Sequence, residues 1–187
     1  MDKTDQQLVL EYLNGNNDSF EKILNRYLKP VFNFIYRFSG GITETEDLTQ
    51  ETFFKAWKYL KKFDPEENFK TWLFTIARNT AIDFLRKKKN FSFSDFNDDE
   101  GDNLITATLF DPDSSPIEDF KAVEKSEVIE RLLNKLSPKY REVLLLHYNH
   151  DLTFDEIGKI LKKPLDTVKS QHRRALIALK KMIDAPK

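Results

Sequence analysis

The sequence predicts an all-α protein made of two small helical domains joined by an acidic linker. Apolar residues recur at three- and four-residue spacing along most of the 187-residue chain, as they do on the buried side of a helix. No segment of useful length alternates apolar and polar residues as a half-buried strand would. Residues 90–120 contain many Asp and Glu but neither Lys nor Arg, and basic segments flank them. The net charge of −1 therefore hides a strongly uneven distribution.

The composition restricts the class of protein. Hydrophobic residues make up 40% of the chain, which is enough for real cores. The chain has no cysteine, which excludes disulfides and thiolate chemistry and argues against a zinc finger. No stretch approaches the length of a membrane span, and the N-terminus lacks a long apolar signal segment. We expect a soluble, cytoplasmic protein.

The first two helices of the N-terminal domain are predicted from caps and breakers. Asp5 is a suitable N-cap for a short first helix, and the turn at residues 14–16 ends it. A longer helix is expected over residues 19–38. Pro30 is expected to kink or divide this helix, and the glycines at residues 40–41 end it.

The next two helices follow from a capping signal and a strong apolar repeat. Thr43 and Glu46 stand at capping-box spacing, which predicts a helix that runs to about Leu60. Residues 63–68 are expected to form a loop. A further helix is expected over residues 69–88, with an apolar face toward the core and polar and basic residues on the opposite side.

The segment that follows is predicted to connect two domains. Residues 90–116 break every helical periodicity and contain Asp-Pro and Ser-Ser-Pro, so we assign the linker to residues 90–120 and the domains to residues 1–89 and 121–187. Its phenylalanines make the linker less polar than a free spacer. Parts of it are expected to dock on a domain or on a partner.

The C-terminal domain is expected to begin with two amphipathic helices. The first is predicted over residues 128–136 from its apolar repeat. Ser137 and Pro138 are typical of an N-cap followed by the first helical position. The helix that they open is expected to bury one face up to Tyr148.

Residues 152–181 predict two helices separated by a short turn. Thr153 and Glu156 form a capping box for the first, Pro164 ends it, and Asp166 is a suitable N-cap for the second. The second helix is expected to bury Val168, His172, Ala175, Leu176, Leu179 and Ile183 and to turn Lys169, Ser170, Arg173, Lys180 and, more to one flank, Arg174 outward. A docked apolar face with a free basic face is typical of a DNA recognition helix. The alternative is an ordinary amphipathic helix whose charged face is merely solvated.

No residue pattern predicts an active site. The five glycines lie outside any phosphate-binding motif, and no nucleophile has an activating neighbour. His147 and His150 are close enough to suggest a metal, but their neighbourhood supplies no convincing further ligands. We therefore expect no enzyme, no metal site, no cofactor and no small-molecule substrate.

Three segments occur together in one order and at one spacing: residues 46–57 (EDLTQETFFKAW), residues 69–81 (FKTWLFTIARNTA) and residues 152–179. Together they resemble the extracytoplasmic-function (ECF) group of sigma factors in the bacterial sigma-70 family. Residues 1–89 then correspond to sigma region 2 and residues 121–187 to sigma region 4. The resemblance implies a subunit that directs core RNA polymerase to specific promoters and starts DNA melting for transcription initiation.

The resemblance assigns residues 46–57 to polymerase binding. On a helix, Asp47, Gln50 and Glu51 fall at spacings of three and four and form one polar ridge, beside which Phe53 or Phe54 can add an apolar anchor. Such a patch suits a basic coiled coil on core RNA polymerase. The alternative is a capped surface helix without a partner.

The resemblance also implies two sets of DNA contacts. Melted DNA needs a positive groove, aromatic surfaces and amides that read exposed base edges. The downstream candidates are Asn68, Lys70, Arg78, Asn79, Arg86 and Lys87. The loop at residues 63–68 can wall a pocket for a flipped base, and Trp72 fits the core better than a stacking platform.

The upstream set lies in the C-terminal domain. Lys169, Ser170, Arg173 and Arg174 are expected to face the major groove, and Thr167 and Arg141 to hold phosphates with the helix N-terminus. Asp166 stands where the family usually has glycine. Its carboxylate would repel a phosphate unless it turns away to cap the helix.

Two rival functions remain at this point. The first is a stand-alone helix-turn-helix transcriptional regulator with an N-terminal sensing or dimerisation module, and the second is a protein-interaction module without DNA contact. For a sigma factor the partners are core RNA polymerase, double-stranded upstream and melted downstream promoter DNA. The family also implies a membrane-linked anti-sigma factor that covers these surfaces.

Overall fold

The computed structural model describes residues 3–87 and 127–184, and all regular structure in these two ranges is helical, as predicted. The N-terminal bundle contains α1 (Asp5–Leu13), α2 (Asn17–Ser39), α3 (Thr45–Tyr59) and α4 (Phe69–Lys87). The C-terminal bundle contains α5 (Glu127–Lys135), α6 (Pro138–Leu144), α7 (Phe154–Leu161) and α8 (Leu165–Asp184). The predicted acidic linker at residues 90–120 lies outside the described residues.

Helix α1 begins one residue earlier than predicted. Thr4 is its N-cap, and the Thr4 side chain and the Gln7 side chain form a capping box with each other's backbone N–H groups. The assignment of the N-cap to Asp5 is therefore wrong. The Asp5 carboxylate instead accepts hydrogen bonds from Arg26 and Tyr27, which ties α1 to α2.

Helix α2 continues through Pro30 as one element, so the predicted division is not observed. Tyr27 and Val31, on either side of the proline, are both buried in the bundle, and this packing supports one continuous helix. The helix ends at Gly40, whose φ of 82° lies in the left-handed region that glycine adopts without strain.

Helix α3 does not use the predicted capping box of Thr43 and Glu46. The helix starts at Thr45, and Glu44 occupies the N-cap position without a side-chain hydrogen bond to the backbone. The Thr43 hydroxyl contacts the Glu44 carboxylate, and the Thr45 hydroxyl donates to the Ile42 carbonyl at 2.6 Å. The helix thus starts one residue later than the predicted capping box requires. Glu46 still lies in its first turn, where an acidic residue favours the helix dipole.

The C-terminal bundle confirms the helix-turn-helix. The capping box of Thr153 and Glu156 is formed as predicted. Helix α7 ends at Lys162, which adopts a left-handed φ of 55°. At Gly158 an added Cβ would lie 2.9 Å from the carbonyl oxygen of Lys163, so only glycine lets the turn pass this close to α7.

Two details of this bundle differ from the sequence prediction. The helix opened by Pro138 is α-helical only to Leu144, and residues 145–149 continue it as a π-helix. Ile183, expected on the buried face of α8, is 65% exposed in the last turn of the helix, where Met182 is the residue that packs against the core.

The two bundles pack against each other. Helix α7 lies on α4, and the π-helical segment lies on α2. His150 is buried between the bundles, with its ring centroid 5.8 Å from that of Phe34 and 4.4 Å from that of Phe74. We call this packing of α7 on α4 the closed arrangement.

Candidate nucleic-acid interface

The outer face of α8 carries the predicted upstream contacts. Lys169, Ser170 and Arg173 are exposed, while Thr167 and Arg174 are half-buried at the edges of the same face. On the opposite side Val168, Gln171, Ala175 and Leu179 are buried against the bundle. The helix therefore docks by one side and leaves a basic side to solvent, which is the arrangement that a recognition helix needs.

Asp166 is not the N-cap of α8. The helix begins at Leu165, and the backbone N–H of Val168 already donates to the Pro164 carbonyl at 3.1 Å. Asp166 therefore lies inside the first turn, with its side chain exposed. Its negative charge favours the helix dipole there, but it does not turn away to cap the helix.

Arg141 does not lie where the predicted phosphate contact requires it. Only 5% of this residue is exposed, and its guanidinium donates hydrogen bonds to four backbone carbonyls. The acceptors are Leu133, Asn134, Leu136 and, in the N-terminal bundle, Phe38, at 2.8–3.2 Å. An arginine that satisfies the carbonyls at a helix end in this way stabilises the bundle rather than an external anion.

Helix α4 presents part of the predicted downstream set to solvent. Asn79, Arg86 and Lys87 are exposed, and Lys70 is half-buried. The Nη1 atom of Arg86 lies 3.9 Å from the Oδ1 atom of Asp83, a loose and exposed ion pair. These side chains can meet a nucleic-acid backbone without a change in the closed arrangement.

Two downstream candidates are engaged by the C-terminal bundle instead. The Arg78 side chain forms a two-point contact with Glu142, with Nε 2.8 Å from Oε2 and Nη2 3.3 Å from Oε1. The Asn68 side chain accepts from the Thr71 backbone N–H, and its amide donates to the Glu156 carboxylate at 2.9 Å.

The aromatic residues near the start of α4 belong to the core. Trp72 is half-buried between Phe63 and Phe69, with ring centroids 5.2 and 5.6 Å away, which agrees with a packing role. Phe63 and Phe69 are themselves buried. The loop at residues 64–68 is exposed, so its polar part is the portion that can contact a base.

The predicted polymerase ridge is present on α3. Asp47, Gln50 and Glu51 are exposed. Phe54 is 60% exposed, whereas Phe53 is only 7% exposed. Of the two phenylalanines offered as the apolar anchor, Phe54 is therefore the one on the surface, and Phe53 packs inside the bundle.

Trp57 is a surface residue that the predicted set omitted. It is 49% exposed, its ring centroid lies 6.0 Å from that of Phe54, and its indole N–H donates to the Tyr12 hydroxyl. Its position three residues after Phe54 is the signal that could have identified it. We call Asp47, Gln50, Glu51, Phe54 and Trp57 the α3 ridge.

His147 and His172 share one aromatic cluster, with ring centroids 5.2 Å apart, whereas His150 packs against Phe34 and Phe74. The Nδ1 atom of His147 lies 2.9 Å from the Leu152 carbonyl oxygen, and its ring stacks on Phe154. Burial, with Lys70 and Arg37 nearby, lowers the pKa of His150 to about 3. Burial likewise lowers the pKa of His172 to about 4. Within residues 3–87 and 127–184, no group of three or more His, Asp or Glu side chains could hold a metal ion.

No helix in the described ranges is long and apolar enough to span a bilayer.

Comparisons with known proteins identify the family of both helical bundles. Residues 23–91 match the model of sigma-70 region 2, and residues 126–179 match that of sigma-70 region 4. The chain is 35% identical to the ECF RNA polymerase sigma factor SigW of Bacillus subtilis, over 90% of this chain and 91% of SigW. It is 31% identical to the RNA polymerase sigma factor YlaC of the same organism, over 89% of this chain and 92% of YlaC.

Solved structures share the fold. CnrH, in complex with the cytosolic domain of CnrY, superposes with a TM-score of 0.70 over 98% of this chain and 99% of that one, at 23% identity. The sigma factor RpoE of Bartonella quintana, in complex with the anti-sigma factor NepR, gives a TM-score of 0.64 at 25% identity, over 90% of this chain and 98% of RpoE. With both sigma-70 regions present and a relative matched over nearly its whole length, the chain belongs to the ECF group of RNA polymerase sigma factors.

Proposed function

We propose that this chain binds core RNA polymerase and directs it to promoters with an upstream and a downstream element. The observation that carries the proposal is the presence of two exposed surfaces of opposite character on one chain. The α3 ridge is acidic and aromatic, and the outer face of α8 is basic. A stand-alone DNA-binding regulator needs only the second of these surfaces.

The α3 ridge is proposed to dock on the polymerase. Its carboxylates and the Gln50 amide complement a basic helical partner, and Phe54 and Trp57 offer exposed aromatic area for burial. Aromatic residues at the centre of a contact and charges around it are typical of interfaces in which few residues supply most of the binding energy. Phe53 contributes only indirectly, because it packs beneath the ridge.

The outer face of α8 is proposed to read the upstream element in the major groove. In this proposal Lys169, Ser170, Arg173 and Arg174 contact base edges, and Thr167 contacts a phosphate. The exposure of Lys169, Ser170 and Arg173 supports it. Arg141 is proposed to hold the bundle together and not to contact DNA. Asp166 weakens any phosphate contact at the helix N-terminus because its exposed carboxylate adds negative charge there.

Residues 1–89 are proposed to melt and read the downstream element. Asn79, Arg86 and Lys87 are exposed on α4, and Lys70 lies near its start. Asn68 and Arg78 complete the set once they are released from Glu156 and Glu142. Residues 90–120 are proposed to link this domain to the upstream-reading domain at residues 121–187.

An anti-sigma factor is a further proposed partner. CnrH and RpoE, which share this fold, were each solved with a protein bound: the cytosolic domain of CnrY and the anti-sigma factor NepR. We also propose that the chain has no catalytic site of its own, since polymerase supplies the chemistry, and that it works in the cytoplasm with polymerase.

Transcription in vitro tests the proposal. Core polymerase with and without the protein is incubated with a pool of genomic fragments, and the 5′ ends of the transcripts are mapped. Start sites that require the protein and share two sequence elements support the proposal. Specific binding of the isolated protein to an operator, with no effect on polymerase, would instead support the regulator.

A further inference from the structure

The closed arrangement places acidic groups of the C-terminal bundle on the helix that is proposed to read downstream DNA. Glu142 contacts Arg78, and Glu156 contacts Asn68. Both partners in the N-terminal bundle belong to the proposed downstream set, and both acidic groups come from the bundle that is proposed to read the upstream element. The two DNA-reading surfaces are therefore not independent in this arrangement.

The charged form of Glu142 is stabilised by its contact with Arg78. Its side chain is fully buried, and that of Arg78 is 12% exposed. Burial raises the pKa of the Glu142 carboxyl, while the charge and hydrogen bonds of Arg78 act in the opposite direction. A carboxylate buried in this way needs a cation and hydrogen bonds, and Arg78 supplies both.

The geometry of the contact is the one that arginine also uses for phosphate. Two guanidinium nitrogens approach two carboxylate oxygens, at 2.8 and 3.3 Å. The same fork binds two phosphate oxygens, so a DNA phosphate and the Glu142 carboxylate compete for one side chain.

The energetics allow this exchange. The attraction within a buried ion pair is largely offset by the cost of removing both ions from water. When the bundles separate, both charged groups become hydrated again. Removing only one of them within the closed arrangement would leave the other buried and unpaired. Replacing one member of the pair is therefore destabilising, whereas separating the two bundles costs little electrostatic free energy.

We propose that Glu142 substitutes for a DNA phosphate on Arg78, so that the closed arrangement withholds Arg78 from downstream DNA until the C-terminal bundle leaves α4. This inference rests on the proposed role of Arg78 in downstream contact. Glu156 holds Asn68 at the edge of the same surface. Any partner that moves the C-terminal bundle off α4 then also releases Arg78 and Asn68.

Glu142→Gln tests the inference in the full chain, since it keeps the shape of the side chain and removes its charge. The absence of cysteine allows one spin label on each bundle, through Asn25→Cys and Lys181→Cys, at two exposed positions. The distance between the labels reports separation of the bundles. Binding of a fluorescent single-stranded oligothymidine reports access to Arg78, because only phosphates are needed for that contact.

The inference predicts a longer label distance in Glu142→Gln and oligothymidine binding tighter by on the order of tenfold. Adding Arg78→Ala should abolish the gain in affinity. Asp155→Asn is the matched control, because it removes a carboxylate from the same bundle, where Asp155 pairs with Lys159 and not with α4. The control should leave the distance unchanged.

Unchanged distance and affinity in Glu142→Gln would overturn the inference, as would a longer distance without tighter binding. Should Glu142→Gln lose helical content, Glu142→Asp replaces it. That variant keeps the charge but withdraws the carboxylate from Arg78, so it should lengthen the distance and tighten binding to a smaller extent.

Transcription by the wild-type chain with core polymerase is measured in parallel. If the wild type supports transcription but Glu142→Gln changes neither the label distance nor oligothymidine binding, the proposed function stands and only this inference fails.

Discussion

The basic side chains of this molecule differ in what surrounds them, and this difference decides what each can bind. Lys169 and Arg173 point to solvent from α8. Arg141 is buried with its donors directed at carbonyls, and Arg78 is held by a buried carboxylate. Of these four side chains, only Lys169 and Arg173 are available to DNA without rearrangement.

Replacing Lys169 or Arg173 with alanine should reduce promoter use sharply. Each base-contacting residue is typically worth about 1–3 kcal/mol, so the double variant should lose at least tenfold in promoter-dependent transcript. Lys181→Ala, on an exposed residue of the last turn of α8, is the control and should change transcript yield little. Equal output from the double variant and the wild type would favour a protein that has no DNA contact through α8.

His150 should make the packed molecule sensitive to acid. Its pKa is about 3 here and about 6.5 in an unfolded chain, so the unfolded chain binds the extra proton between these values. The free energy of unfolding therefore rises with pH across this range. The stability that neutral His150 contributes decreases as the pH falls below about 6.5.

Urea denaturation of the wild type and His150→Phe tests this expectation, since phenylalanine keeps a ring against Phe34 and Phe74. From about pH 7 to about pH 5 the wild type should lose roughly 2 kcal/mol more than the variant. Parallel curves for the two proteins would show that His150 titrates normally. The other histidines are common to both proteins and cancel in the comparison.

At the level of single residues, the sequence predicts exposure better than it predicts partners. The spacing along α8 correctly separates the outward Lys169 and Arg173 from the buried Val168 and Ala175. The burial of Arg141 was not predictable in the same way, because its acceptor at Phe38 lies 103 residues away in the chain. A local pattern carries no information about such a contact.

At the scale of elements, α3 has an inner and an outer phenylalanine with opposite roles. Phe53 is buried, and Phe54 is exposed beside Trp57. A variant pair can therefore separate loss of stability from loss of binding. The two residues are neighbours in the chain and differ only in the side of the helix that they occupy.

Phe54→Ala together with Trp57→Ala should weaken core polymerase binding with little change in thermal stability, because exposed side chains contribute little to the core. Phe53→Ala should instead destabilise the protein by about 3–5 kcal/mol, as expected for a truncated core aromatic. Polymerase affinity and thermal unfolding are measured for both variants. If the surface pair binds polymerase like the wild type, the α3 ridge is not the docking site.

Gly158→Ala tests how tightly the helix-turn-helix is closed. The added methyl would lie 2.9 Å from a backbone oxygen, so either the turn opens or α7 shifts. Overpacking of this kind costs about 1–3 kcal/mol, and we expect thermal unfolding of the variant at a lower temperature with weaker upstream binding. A variant of unchanged stability would show that the turn has room that the structure does not indicate.

The elements show which sequence signals are robust. The capping box of Thr153 and Glu156 is formed, whereas the one expected from Thr43 and Glu46 is not, although the spacing is identical. The difference lies in where the chain enters the helix, which tertiary packing decides. Pro30 in α2 gives the same lesson, since burial on both sides outweighs the break that proline predicts.

At the scale of the whole molecule, two helical bundles were predictable, but their contact was not. The contact depends on Arg78 with Glu142 and on His150 with Phe34 and Phe74, pairs that no periodicity joins. The bundles lie together while the outer face of α8 remains exposed. The surface for upstream DNA is thus ready in the closed arrangement, and the one for downstream DNA is partly occupied.

The central claim is that the α3 ridge and the outer face of α8 act together on one promoter under one polymerase. A single transcription assay on a mapped promoter tests it most directly, with core polymerase and the wild type, Phe54→Ala with Trp57→Ala, or Lys169→Ala with Arg173→Ala. We predict a specific transcript with the wild type and its loss with either double variant. A transcript that core polymerase makes without the protein, or that both double variants support fully, would contradict the claim.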